Sequence, residues 1–166
     1  ERECNLLDGA AYFYSVYECS DGKFISLGSI EPQFHAELLE LLGLADDPLF
    51  HRQLEKDGWA AAKAKLAEVF KGNTRDHWNK LFDGTDVCYG PVLSLREAPK
   101  HQHNKARKAF IEINGHMQGA PAPRFSRTAQ DFPTPPPEPG QHNEEALSDW
   151  GFSADEITSL KDAGAV

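Results

Sequence analysis

Prolines at positions 121, 123, 133, 135, 136, 137 and 139 constrain this chain more than any other feature. Proline lacks an amide hydrogen and its ring clashes with the preceding helical turn, so residues 119–140 exclude both helix and central strand. The stretch predicts an extended connector, semi-rigid where the prolines are consecutive. A folded domain is then expected before it, over 1–118, and short helices after it, over 141–166. Ser153-Ala154-Asp155-Glu156 has the spacing of a capping box and starts the second of those helices, which carries Ile157 and Leu160. Two short helices cannot build a core of their own. They are expected to dock on another domain or another chain through Trp150, Phe152 and Ile157.

Upstream of the connector, residues 11–44 switch hydrophobic period. Tyr12, Tyr14 and Val16 alternate with Phe13, Ser15 and Tyr17, which favours a strand. Ser20-Asp21-Gly22 supplies a turn, and Phe24, Ile25 and Leu27 return as a second strand. Phe34, Leu38, Leu41 and Leu42 then fall at helical spacing, with Pro32 at the first helical position and Gly43 as the stop. Glu31 is left at the junction of strand and helix, beside unpaired amides at the positive end of the helix dipole. It reads either as an acidic helix cap or as a carboxylate aimed at a site by a rigid hairpin and helix. Tyr14 lines the same region if the hairpin faces it, and is otherwise a core tyrosine.

The remaining elements follow the same signals. Residues 45–58 are polar, with Asp46-Asp47-Pro48 and Asp57-Gly58 as breakers. Residues 59–70 predict a helix with Trp59, Ala62, Leu66, Val69 and Phe70 on one face. Thr74 is a good N-cap for a helix over 75–82. Val87-Cys88-Tyr89 reads as a short strand broken by Gly90-Pro91, and Ser94 to Glu97 has capping-box spacing before a short helix. Residues 109–118 predict a second hairpin around Asn114-Gly115. The fold class is therefore α+β: both hairpins contribute to a small, mainly antiparallel sheet, with helices at 32–42, 59–70 and 75–82 packed on it.

Histidines attract functional readings, each with a simpler rival. His51 sits in a polar loop, and His77 beside Trp78 is a boundary residue on a helix. His101 and His103 stand two apart, with His116 further on, and lack a Cys, Asp or third His at useful spacing, so no metal site is assigned. Lys100, Lys105, Arg107 and Lys108 form a basic patch without a glycine-rich loop, and read as a solvated face. The net charge of −9 argues against nucleic acid or an anionic membrane as partner. No apolar run is long enough to span a bilayer, and no secretory signal is visible. Cys4, Cys19 and Cys88 fit neither a zinc site nor a disulfide framework, so a reducing, cytoplasmic compartment is expected, with Cys19 and Cys88 in strands.

Several runs carry a family resemblance. They are Asn5-Leu6-Leu7-Asp8-Gly9, the following AAYFYSVYECSDGKFISLG, and above all Ser29-Ile30-Glu31-Pro32-Gln33-Phe34. Phe82-Asp83-Gly84-Thr85-Asp86-Val87-Cys88, Pro91-Val92-Leu93 and Pro121-Ala122-Pro123-Arg124-Phe125 continue it. In this order and spacing they resemble the α-methylacyl-CoA racemases of the family III CoA-transferase (CaiB/BaiF-type) group. The resemblance implies epimerisation of a 2-methylacyl-CoA at its α-carbon, with coenzyme A as part of the substrate and no separate cofactor. It implies that Glu31 supports a catalytic histidine and that Tyr14 and Ile30 line the pocket. The acid–base His and Asp of the family match nothing in this chain. Family members are longer and the sequence starts at Glu1, so a C-terminal portion is expected, inactive alone and part of an interlocked homodimer. The alternatives are part of a family III CoA-transferase, or a dimerisation module without chemistry.

Overall fold

The computed structural model describes residues 2–131 and 133–166; positions 1 and 132, which fall in the expected first domain and connector, lie outside the described residues. The chain divides into two units, one ending at Glu97 and the other starting at Ala98. Mixed α and β structure is present, as the two hydrophobic periods require.

In the first unit, β1 (Val16–Glu18) and β2 (Phe24–Leu27) pair antiparallel with Tyr17 opposite Ile25. Gly22 closes the turn between them at φ 71, a conformation that costs glycine nothing. A third strand, β3 (Tyr89–Val92), pairs with the other side of β2 and sets Pro91 opposite Ile25. Two expectations are corrected here. The first strand does not begin at Tyr12, because the Tyr14 amide donates to the Ala11 carbonyl at 3.0 Å and closes a turn. Tyr12 and Phe13 are both buried, which a strand with one solvated face does not permit for neighbours. Nor is the third strand broken at Gly90-Pro91. It begins later and includes both residues, because an edge strand has no partner waiting for the missing proline N–H. Cys19 and Cys88 consequently fall just outside strands.

Three helices cover one face of this sheet. α1 (Pro32–Leu41) buries His35, Leu38 and Leu39, and α2 (Lys56–Lys71) buries Trp59, Ala62, Leu66 and Phe70. α3 (Arg75–Phe82) starts on the Thr74 side chain, which accepts from the His77 amide, and buries Arg75, Trp78 and Phe82. α2 starts earlier than the sequence suggests and takes in Asp57-Gly58. In a first turn the amides lack intrahelical partners anyway, and Asp57 faces the positive end of the dipole. Phe70 packs on Tyr17 and Trp78, each at 5.1 Å between ring centroids, and on Phe82 at 6.5 Å. Each large apolar side chain removed from water this way contributes about 1.5–3 kcal/mol before entropy is counted. The opposite face of the sheet leaves Val16, Phe24 and Val92 exposed.

The Ser94–Glu97 capping box forms its reciprocal bonds, at 2.9 and 3.2 Å, but no α-helix follows directly. The Glu97 carboxylate also receives the buried Arg75 guanidinium at 2.6 Å, which ties this turn to α3. A 3-10 turn, Ala98–Lys100, passes through Pro99, and of the basic patch Lys100 ends this turn, Lys105 lies in α4 (Gln102–Ala106) and Arg107 is the C-cap of that helix.

In the second unit, β4 (Phe110–Ile113) and β5 (His116–Gly119) form a hairpin across Asn114-Gly115, both at positive φ. This hairpin makes a two-stranded sheet of its own instead of joining the first, a correction to the single-sheet expectation. Every residue of β5 is exposed, so the pair offers no second apolar face with which to extend a larger sheet. No helix or strand lies between Gly119 and Gly140 among the described residues. α5 (Asn143–Asp149) and α6 (Ala154–Asp162) follow, the latter with its Ser153/Glu156 capping box formed. Ile157 is buried, whereas Trp150 is 85% exposed. Among the described residues no helix is long and apolar enough to cross a membrane.

Candidate functional site

Two of the sequence runs singled out above meet in space. The Gly28 amide donates to the Cys88 carbonyl at 2.9 Å, and Ser29 Oγ donates to the Val87 carbonyl at 2.5 Å. The Asp86 amide donates to Glu37 Oε2 at 3.1 Å, which binds the same loop to α1. Ser29 is fully buried and its amide donates to the Phe13 carbonyl at 3.0 Å. The backbone leading to Glu31 is thus fixed from both sides.

Glu31 occupies the N-cap position of α1 through its backbone alone. Its φ and ψ are −68 and 140, its carbonyl accepts from the His35 amide at 3.0 Å, and its side chain makes no capping bond. Pro32 at the first helical position needs no acceptor. The carboxylate is exposed and uncommitted to the helix it starts. Its field reaches Cys88, whose thiol is pushed up by burial first and then by the charges of Glu31 and Asp86.

Beside this junction lies a cleft of about 660 Å³ over the outer face of the sheet, lined by Asp8, Tyr14, Ser26, Gly28, Lys63 and Cys88 among others. Tyr14 is half-buried and is part of the lining. Ile30 does not line this cleft; it is half-buried and packs against the core. Glu31 is also outside the lining, although its charge acts on Cys88, which is part of it.

Residues assigned no role from sequence shape the cleft wall. Asp8 accepts from the amides of Asn5 at 2.9 Å and Cys4 at 3.1 Å, and from the Asn5 side chain at 3.0 Å. Desolvation works against its charge, but these donors outweigh it and lower its pKa to about 2. Lys63 donates to the Gly9 carbonyl at 2.7 Å and to Glu3 at 3.2 Å, closing the N-terminal loop onto α2. Asp8-Gly9 stood in a recognisable run, but nothing in the spacing of Lys63 from it announced the contact.

The histidines are dispersed. His51, His77, His103 and His116 are exposed, His101 is half-buried, and no three metal-type side chains cluster among the described residues. His35 is buried and its Nε2 lies 2.7 Å from the Tyr12 hydroxyl. Burial lowers the His35 pKa and raises that of the Tyr12 phenol, so the hydroxyl donates to a neutral ring. The unfolded chain therefore binds a proton below about pH 6.5 that the folded chain resists. Stability contributed by the neutral pair is present above that pH and declines as pH falls through it. Tyr12→Phe leaves the ring nitrogen unpaired and is expected to cost about 1–3 kcal/mol at pH 7.5. Urea denaturation of both chains between pH 5 and 8 checks both statements; an unchanged stability at pH 5 in the parent chain refutes the first.

Residues 1–143 match the family described as CoA-transferase family III. The chain belongs to CoA-transferase family III. This family III chain is 44% identical to the α-methylacyl-CoA racemase of Mus musculus over 161 residues, which is 96% of this chain and 42% of that protein. Its identity to the α-methylacyl-CoA racemase of Homo sapiens is 42% over 162 residues, again 96% of this chain and 42% of that protein. The chain thus spans less than half the length of these curated relatives. A more distant relative, an acyl-CoA transferase of Fusarium pseudograminearum, is 27% identical over 92% of this chain and 36% of that protein. Among solved structures, a CAIB/BAIF family protein from Brucella suis superposes with a TM-score of 0.65, at 22% identity, over 82% of this chain and 37% of that one. A Mycobacterium tuberculosis protein gives 0.63 at 16% identity, over 79% and 39% of the two chains. These two likenesses are likenesses of fold. The resemblance carried by Ser29–Phe34 and Phe82–Cys88 led to the correct family.

Proposed function

We propose that this chain works as the site-closing part of an α-methylacyl-CoA racemase, an isomerase that inverts the α-carbon of 2-methylacyl-CoA thioesters. The observation that carries the reading is 44% and 42% identity over 96% of the chain to two racemases, against 27% to the fungal acyl-CoA transferase. The thioester acidifies the α-proton, and one group removes it while another returns a proton on the opposite face. In this reading the acid–base His and Asp come from a larger domain. Glu31 accepts a hydrogen bond from one nitrogen of that histidine, which fixes its tautomer and raises the basicity of the other nitrogen. The exposed, unspent carboxylate at a rigid N-cap is suited to that task. Tyr14 and Ile30 contact the acyl-CoA. Coenzyme A arrives with the substrate, and no further cofactor enters the reaction. Residues 1–118 act as the smaller domain, 119–140 as the connector, and 141–166 as helices that dock on a large domain within an interlocked homodimer. The rival reading, a CoA-transferase part, involves no obligatory α-proton exchange.

Deuterium uptake from D₂O into a 2-methylacyl-CoA tests the proposal. A protein of the relatives' full length carrying this chain should exchange the α-proton, whereas the 166-residue chain alone should not. Transfer of CoA to a carboxylate acceptor without exchange overturns the racemase reading. Exchange by the 166-residue chain alone would place the acid–base pair on local histidines such as His35 or His77.

A further inference from the structure

Gln53 lies in the polar segment between the 3-10 turn Pro48–Phe50 and α2, where sequence reading assigns no role. Its side-chain nitrogen donates to two successive carbonyls, those of Ser29 at 3.1 Å and Ile30 at 2.9 Å. Both neighbours can only accept, so the amide orientation is dictated by chemistry. The main-chain carbonyl of Gln53 accepts from Trp59 Nε1 at 2.7 Å. Trp59 is buried and meets Phe13 edge to face at 5.9 Å between centroids. Trp59 thus ties the Gln53 backbone to the aromatic core, and the Gln53 side chain reaches from there to the two peptide units immediately before Glu31. Glu31 itself has no side-chain bond to α1, so the direction of its carboxylate depends on this backbone.

We infer that Gln53 is a positioning residue for Glu31: it fixes the Ser29-Ile30 peptide units and so sets where the Glu31 carboxylate points. The inference rests on the racemase reading, because positioning matters only if Glu31 supports the reaction. Gln53→Leu keeps the volume and removes both donors. Gln53→Glu keeps the shape but turns an acceptor toward two carbonyls. A small misplacement of a supporting group costs rate and leaves substrate affinity almost intact.

The experiment measures α-proton exchange in a protein of the relatives' full length, for the parent, Gln53→Leu, Gln53→Glu, Glu31→Gln and the double variant Gln53→Leu/Glu31→Gln. The expected order is parent, then Leu slower by roughly 10-fold, then Glu slower still, with KM for the acyl-CoA changed by less than about 3-fold. The pH-rate profile of Gln53→Leu should shift its acidic-limb midpoint, which reports the base, in the same direction as that of Glu31→Gln. The double variant should be no slower than Glu31→Gln alone, because Gln53 acts through Glu31. Losses that multiply in the double variant, or a Gln53→Glu protein as fast as Gln53→Leu, overturn the inference while leaving the racemase reading intact. A parent that exchanges no proton overturns the reading on which it rests. Thermal denaturation of each variant identifies any that fail to fold, and for those Gln53→Asn, which is too short to reach both carbonyls, takes the place of Leu in the comparison.

Discussion

Under the proposed function, replacing Glu31 by Gln in a protein of the relatives' full length should slow α-proton exchange by roughly one to three orders of magnitude, the range of a lost supporting group in acid–base catalysis. The substitution is nearly isosteric. The N-cap geometry should survive it, because φ −68, ψ 140 and the Glu31 carbonyl bond to the His35 amide are all backbone features. Under the proposed function, what changes is the charge offered to a catalytic histidine of a larger domain. A neutral amide stabilises the imidazolium less and can hold the ring in the wrong tautomer. Acyl-CoA affinity should change little, so the loss should appear in kcat and not in KM. Deuterium uptake into a 2-methylacyl-CoA measures the first, and saturation of that uptake with substrate measures the second. Exchange at the parent rate would mean that Glu31 does no more than begin a helix.

Phe70→Ala should destabilise the chain by about 3–5 kcal/mol, the largest stability effect of any single truncation in the first unit. Phe70 is fully buried and lies where β1, α2 and α3 converge, touching Tyr17, Trp78 and Phe82. Three neighbouring aromatic rings cannot collapse into the space of a lost ring without leaving their rotamers. The cavity term therefore adds to the transfer term. The Trp78 indole still finds the carbonyl of residue 70 at 3.0 Å, because that acceptor is backbone, so the loss is one of packing alone. Leu95→Ala, on a residue 94% exposed, should stay within about 0.5 kcal/mol of the parent. Urea denaturation of the three chains separates these outcomes. A Phe70→Ala midpoint close to that of Leu95→Ala would mean that the aromatic cluster is not the centre of the core.

By itself, the sequence determined features governed by neighbours along the chain. Pro32 at the start of α1, Thr74 at the cap of α3, the Ser153/Glu156 box and the Asn114-Gly115 hairpin each depend on a few adjacent residues, and each stands where spacing put it. The α+β class follows from the two hydrophobic periods for the same reason. The run from Ser29 to Phe34 also placed Glu31 at the start of α1, because proline at a first helical position has a local meaning. Tertiary structure decided what depends on distant partners. Tyr12 and Phe13 carry a strand-like pattern, yet they bury together in a turn because Phe50 and Trp59 receive them from elsewhere in the chain. Asp57-Gly58 looks like a breaker and instead opens a helix whose buried face, from Trp59 to Phe70, packs into the core. Pro91 joins a strand because β2 offers it an edge. The contacts of Gln53 with Ser29 and Ile30, and of Lys63 with Gly9, join residues far apart in sequence through polar atoms that obey no period. A hydrogen bond between remote loops leaves no repeat to read, and only the packed chain brings its two ends within reach.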